Sequence, residues 1–291
     1  MNTRLKFGIP KGSLQNATIA LLKRSGWHIN VNGRSYFPEI DDESIECAIC
    51  RAQEMSRYVQ NGTLDAGLTG KDWIAENSSD VHVVADLVYS KVSSRSARWV
   101  VAVPYDSPAQ RLEDLTGKKI ATELTEFTKR YFAERNIEVI VEFSWGATEA
   151  KVVSGLADAI VEVTETESTL KAHGLRIIHE LMKTNTQLIA NHEIWKNPQK
   201  RKKIEQIALL LKGALLGQKM VGLKMNVPGE LMEKVINMLP SLNAPTVASL
   251  YQSNWFSVDI VVASDTVREL IPKLLEHGCL LYTSPSPRDS C

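Results

Sequence analysis

The 291-residue chain has no excess of either charge sign, since Lys+Arg and Asp+Glu both number 34. Without net charge it lacks the positive field on which general nucleic-acid or membrane-surface binding rests, and neither partner is expected. No apolar run reaches the length of a membrane span. The opening segment MNTRLKFGIPKG has no signal-peptide core, because it breaks at Pro10 after one short strand, so the expected location is cytoplasmic. Cysteine is scarce. Cys47 and Cys50 form a lone Cys-x-x-Cys, but Ile45, Ala48 and Ile49 around them read as a strand. Residues three apart on a strand point to opposite faces, so buried free thiols are expected rather than a redox pair. The six histidines, His28, His82, His173, His179, His192 and His277, show no metal-ligand spacing.

What is present is an ordinary globular composition, 44% hydrophobic and 23% charged, long enough for two or three domains. Strand and helix signals alternate from Leu5 to Val88, predicting a mixed, mostly parallel sheet with helices on its faces. A second β-α-β array runs from about Arg98 through the strand Ala159 to Val163. A strand at Gln187 to Asn191 and the charged helix after Pro198 are expected to return to the first lobe. The expected domains are therefore lobe I at 1–95, completed by about 183–212, and lobe II at 96–182. Two such lobes make a hinged cleft, a common ligand site. A third unit at 217–278 reads β-α-β-β-α, with Asp265 capping its last helix. That is one strand short of a split β-α-β fold of ferredoxin type. The remainder, CLLYTSPSPRDSC, reads as a Pro/Ser tail, and Cys279 to Asp289 resembles the translation of a sequencing-library adapter. The natural frame is expected to stop near Gly278, leaving 279–291 outside functional reasoning.

The most informative stretch is Gly155 to Leu170, GLADAIVEVTETESTL. A strand runs into a turn rich in hydroxyls and then into a helix N-terminus. Free backbone N–H groups and the helix dipole there favour a phosphate. Thr166, Ser168 and Thr169 offer hydroxyl donors, and Asp158 and Glu162 offer carboxylates for sugar hydroxyls or a metal. Glu167 opposes this reading, because it places a carboxylate where an anion-binding turn wants glycine.

Four segments together resemble ATP phosphoribosyltransferase of the long, self-regulated form, the first enzyme of histidine biosynthesis. They are GIPKGSL at Gly8 to Leu14, RAQEMSRYVQNGTLDAGLTGKDW at Arg51 to Trp73, GATEAKVVSGLADAIVEVTETESTL at Gly146 to Leu170, and LPSLNAPTVASL at Leu239 to Leu250. The resemblance implies an α/β fold with two catalytic lobes like those of periplasmic solute-binding proteins (type II). It adds a C-terminal ferredoxin-like α+β regulatory domain, here expected to lack its last strand. It implies condensation of ATP with 5-phosphoribosyl 1-pyrophosphate (PRPP), giving phosphoribosyl-ATP and pyrophosphate. Mg2+ would be held mainly by substrate, with Asp158 and Glu162 as candidate protein ligands.

By the same resemblance, Glu149, Asp158, Glu162, Thr164, Glu165, Thr166, Glu167, Ser168 and Thr169 form the PRPP site. Lys11, Gly12, Ser13, Arg51, Asp65, Thr69, Gly70 and Asp72 form the ATP site. Lys11, Arg51 and Glu162 are the catalytic candidates. Gly70 permits close ligand approach; Asp72 either serves the ligand or caps its helix, and Asp158 either faces ribose or caps a strand. Histidine is the implied inhibitor, bound near Pro245 and Thr246, in a homo-oligomer of dimers and hexamers. An unpaired sheet edge in the third unit predicts weak or absent histidine inhibition. The chain departs from the family at Ser13, where many members carry Arg, and at Glu167, where Gly is usual. Two alternatives stay open: the same fold with PRPP binding impaired by Glu167, and a non-enzymatic bilobal ligand-binding protein.

Overall fold

The computed structural model describes residues 4–31, 36–89, 97–240 and 244–283. The chain divides into two units, Met1–Lys212 and Gly213–Cys291.

The first unit contains two five-stranded sheets. The sheet of lobe I is ordered Ile45–Arg51, Leu5–Lys11, Ala66–Gly70, Thr186–Ala190, His82–Leu87. Its first three strands are parallel, and Thr186–Ala190 enters antiparallel from the far side of lobe II. The register pairs Leu5 with Ile45 and ends by pairing Lys11 with Arg51. Two cations therefore stand side by side at the carboxyl ends of adjacent parallel strands, where ligands of open α/β sheets gather. Gly8 and Gly67 keep the sheet surface flat enough for Met55, because a Cβ at either position would collide with its Sδ. Gly12 has φ +98° and turns the chain sharply after Lys11, a conformation that L side chains resist.

The sheet of lobe II is ordered Leu175–Thr184, Ala97–Pro104, Ala159–Thr164, Lys119–Thr122, Ile140–Phe143. Trp99, Val101 and Val103 point to one core and Val100 and Ala102 to another, the period-2 alternation of a strand buried on both faces. The strand Leu175–Thr184 has no counterpart in the sequence reading. Its polar run, RIIHELMKT, is only partly buried at the sheet edge and interrupted by two register shifts.

The lobes are stitched beside the cleft by a helix of each. Glu76, in the lobe I helix Lys71–Glu76, accepts hydrogen bonds from the backbone N–H groups of Glu126 and Phe127 at 3.0 and 2.8 Å. Those residues open the lobe II helix Thr125–Ala133, so a carboxylate of one lobe satisfies orphan donors of the other. Arg130 returns the contact by donating to the Ala75 carbonyl.

The second unit is a four-stranded antiparallel sheet ordered Thr246–Ser249, Trp255–Ala263, Met220–Pro228, Leu280–Thr283. The helices Met232–Met238 and Val267–Glu276 complete it. This corrects the expectation of a missing last strand. Leu280–Thr283 pairs with Met220–Pro228, matching Leu223 to Thr283 and Asn226 to Leu280. The edge of Met220–Pro228 otherwise presents unpaired N–H and C=O groups, and the apolar segment after Gly278 satisfies them. Cys279, assigned to the tail by sequence, is buried in the unit's core; the rest of that tail, 284–291, lies outside the described residues. Asp265 is not the helix cap either, since Thr266 holds the N-cap position and makes no side-chain cap bond.

Candidate active site

A cavity of about 410 Å³ lies between the two lobes of the first unit. Lobe I contributes Lys11, Gly12, Ser13, Arg51, Gly70 and Asp72; lobe II contributes Glu123, Glu162 and Glu165. The sequence reading named all of these except Glu123. Except for Glu162, which stands within the last half of its strand, each lies at or just beyond the end of a strand, where ligands of open α/β sheets gather.

Glu162 is half-buried on the strand Ala159–Thr164. Burial, with smaller contributions from the neighbouring carboxylates Glu149 and Glu123, pushes its carboxyl up to about 7. Glu123 is also raised by burial and by the charge of Asp72. The cleft thus sets acidic groups of lobe II opposite the basic pair Lys11 and Arg51 of lobe I. Among the described residues no three His, Cys, Asp or Glu side chains converge as a metal cage. Hard carboxylate oxygens at Glu162 and its neighbours do suit a cation that takes most of its ligands from substrate and water.

Asp72 has a different environment. It is 7% exposed, and burial pushes its pKa up. The indole N–H of Trp99 donates to its Oδ2 at 2.8 Å, and the Trp73 backbone N–H donates to its Oδ1 at 2.9 Å. Asp72 therefore joins lobe I to lobe II across the floor of the cleft. Gly70 serves this arrangement, since a Cβ there would collide with Asp72 Oδ1. Its smallness is required by a protein side chain, at a position that also lines the cavity.

The turn after Glu162 is built from its own hydroxyls. Thr164 Oγ1 accepts from the Glu167 N–H at 2.9 Å, and Thr166 and Ser168 share a hydrogen bond of 2.9 Å between hydroxyls. Glu167 adopts φ +62°, the left-handed conformation glycine favours, and the helix Ser168–Ala172 starts directly after it. Its carboxylate pairs with Arg98, on the adjacent strand, and with Lys171 at 3.0 Å. Lys171 and Arg98 together hold its pKa below the usual range. Thr169 bonds through its carbonyl to His173 Nδ1 at 2.8 Å, an exposed local contact.

Of the sequence candidates, Glu149, Thr164, Thr166, Glu167, Ser168 and Thr169 do not line the cavity, and neither do Asp158, Asp65 and Thr69. Asp158 precedes the strand Ala159–Thr164, about 13 Å along the chain from Glu162. Its Oδ2 accepts from the Lys119 N–H at 2.9 Å, so it ties the start of one strand to its neighbour. Asp65 is buried at the start of the strand Ala66–Gly70, where it accepts from Lys200 Nζ at 2.6 Å and from the Lys6 N–H at 2.8 Å. Thr69 is fully buried and donates to the Ala52 carbonyl at 2.7 Å. Each is satisfied by protein, and these contacts fix strand ends and a helix start. Cys47 and Cys50 are free, with thiols pushed up to about 12, chiefly by burial.

Glu123, Tyr89, Trp99 and Thr184 also line the cleft and were missed. Trp99 lies inside a strand, where sequence shows only a core pattern, and Thr184 ends the strand Leu175–Thr184, which the sequence reading did not include. Glu123 stands directly after the strand Lys119–Thr122, a position that could have marked it.

Residues 51–213 match the family described as ATP phosphoribosyltransferase, and residues 217–280 match that described as HisG, C-terminal domain. An ATP phosphoribosyltransferase of Desulfosudis oleivorans is 72% identical over 278 residues, 96% of each chain. One of Desulfatibacillum aliphaticivorans is 73% identical over 278 residues, 96% of this chain and 95% of the relative. Among solved structures, an ATP phosphoribosyl transferase (HisG:HisZ) complex from Thermotoga maritima aligns with a TM-score of 0.62 at 27% identity, over 73% of this chain and 98% of that one. The strand-end cations, the cleft carboxylates and the strand–turn–helix after Glu162 are thus features of a chain that belongs to the ATP phosphoribosyltransferase family, whose enzymes open histidine biosynthesis.

Proposed function

We propose that ATP and PRPP meet in the cleft between the lobes, with Lys11 and Arg51 on the phosphates and Glu162 on the ribose. The observation that carries this is the in-register pair Lys11 and Arg51 facing Glu162 across one cavity. In the reaction a lone pair on an adenine ring nitrogen forms the bond to the anomeric carbon. The bond from that carbon to the pyrophosphate oxygen breaks, and its electron pair leaves on pyrophosphate. No covalent nucleophile is required. Holding two polyanions in line and stabilising the departing charge carry the acceleration. Lys11 and Arg51 supply positive charge for the leaving group, replacing in part the arginine that Ser13 lacks.

Glu162 accepts hydrogen bonds from the ribose hydroxyls in its ionised form, with Glu149 beside it. The turn Thr164 to Thr169 receives the 5′-phosphate. Glu167 is compatible with this role because it keeps the backbone shape of glycine while Arg98 and Lys171 hold its carboxylate. Glu162 is the protein carboxylate that would hold Mg2+ brought in with the substrate, and the ion would supply positive charge to the departing pyrophosphate. Asp158 has no part in holding it.

Histidine inhibition through the second unit, with Pro245 and Thr246 at the start of the exposed edge strand Thr246–Ser249, belongs to the same reading. So does assembly into dimers and hexamers. The completed sheet removes the reason for expecting inhibition to fail. The deciding assay is spectroscopic detection of phosphoribosyl-ATP from ATP, PRPP and magnesium. Product formation that histidine suppresses supports the whole reading; no product at millimolar substrates defeats it.

A further inference from the structure

Lys11 and Arg51 are held in the cleft by ring faces rather than by carboxylates. Among the described residues, neither forms an ion pair, and each lies over an aromatic ring. Lys11 Nζ is 4.5 Å from the centroid of Tyr36 and donates to its hydroxyl at 3.2 Å. Arg51 Cζ is 4.9 Å from the centroid of Trp145. Both rings are exposed, Tyr36 by 55% and Trp145 by 59%, so packing in a core does not explain them. Tyr36 is anchored beside the strand Ile45–Arg51 by the Ile49 N–H, which donates to its carbonyl at 2.7 Å. Trp145 follows the lobe II strand Ile140–Phe143, with the Phe143 ring 6.1 Å away. The Arg51–Trp145 contact therefore crosses from one lobe to the other.

A ring face attracts a cation through its quadrupole and carries no net charge. It orients the cation without cancelling its field. A carboxylate in the same place would neutralise the charge that a polyphosphate needs. Arg98 illustrates the other choice, because it is paired with both Glu167 and Glu180. We propose that Tyr36 and Trp145 are positioning residues, whose ring faces hold Lys11 and Arg51 at the cleft while leaving both charges available to a polyphosphate. The proposal deepens the reading of the cleft given above and rests on it.

The test is a double-mutant cycle on the full chain, with binding of inorganic pyrophosphate in the presence of magnesium measured by calorimetry. Wild-type protein is first shown to form phosphoribosyl-ATP; inactivity there counts against the reading of the cleft, whatever the cycle shows. Trp145→Leu is expected to weaken pyrophosphate binding roughly threefold to thirtyfold, the range of a cation–ring contact between exposed and desolvated settings. Trp145→Phe, which keeps a ring, is expected to stay within about twofold of wild type. In an Arg51→Met background, Trp145→Leu is expected to add nothing. An unchanged affinity in Trp145→Leu, or the same loss with and without Arg51, overturns the proposal. Tyr36→Leu in the presence and absence of Lys11→Met repeats the cycle on the other pair and decides the matter should Trp145→Leu fail to fold.

Discussion

Glu162 and Glu167 are five residues apart on one strand and its turn, yet their surroundings treat negative charge in opposite ways. Glu162 sits half-buried among other carboxylates and is raised to about 7. Glu167 is held by Lys171 and Arg98 and is lowered. The first is an acid kept reactive by its surroundings, suited to meet a cation or a hydroxyl brought by substrate. The second is neutralised within the protein, so its intrusion into a phosphate turn is limited. The two basic centres mirror this: Arg51 lies over a neutral ring, whereas Arg98 is consumed by carboxylates.

The largest expected effect comes from removing the charge at Glu162. Glu162→Gln keeps the shape and loses the carboxylate, so kcat should fall about a hundredfold or more, as for other groups that act on the transition state. Steady-state kinetics with both substrates checks this. The same variant should be more stable than wild type at pH 8. Burial raises the folded-state pKa above the unfolded value, so the folded chain binds this proton more tightly. Stability is full below the unfolded value near 4.5 and declines as pH rises to about 7. The ionised residue then costs about 3 kcal/mol at most, which Gln avoids. A lower melting temperature for Glu162→Gln at pH 8 would overturn this account of the buried carboxylate.

A somewhat smaller effect follows from pH alone. With the carboxylate as the active form, kcat/KM should rise nearly tenfold per unit below pH 7 and level off above it. The kcat profile should lie at lower pH, because bound substrate and its cation favour the ionised state. A kcat/KM that falls through pH 7 would mean that the protonated acid is required.

The place of Glu162, Lys11 and Arg51 in the cavity was legible in the sequence because each leaves a local mark, a polar residue directly after an apolar run. Asp65 and Asp158 sit at the opposite ends of their strands, before the apolar run, and protein groups satisfy them there. Asp65 is satisfied by Lys200, more than a hundred residues away in the chain, and no local pattern shows that. Asp72 and Trp99 work as a pair across two lobes and were half seen for the same reason. The missing edge strand arose differently. The composition of CLLYTSPSPRDSC argued for a tail, while the pairing of Leu280–Thr283 depends on an open edge that only the sheet order reveals.

Glu167 itself gives the next test. Glu167→Gly relieves a left-handed non-glycine residue and removes the carboxylate, but it also releases Arg98 and Lys171. The KM for PRPP should fall several-fold with kcat nearly unchanged, because a phosphate meets two freed cations. Glu167→Val, which resists positive φ, should distort the turn and raise that KM instead. Equal kinetics for Gly and Val would show that the turn does not contact phosphate.

The smallest expected effect separates the cleft end of the strand from its far end. Asp158→Asn removes a charge that Lys118 faces at 3.4 Å while keeping an oxygen for the Lys119 N–H. Both side chains are exposed, so the ion pair contributes at most about 1 kcal/mol, and no substrate group is expected within reach. The variant should retain wild-type KM for PRPP and wild-type magnesium dependence. A rise in either would return Asp158 to the ribose or metal site and would require the residue just before the strand to reach the cleft, although Glu162 and Glu165 enter it from the strand's other end.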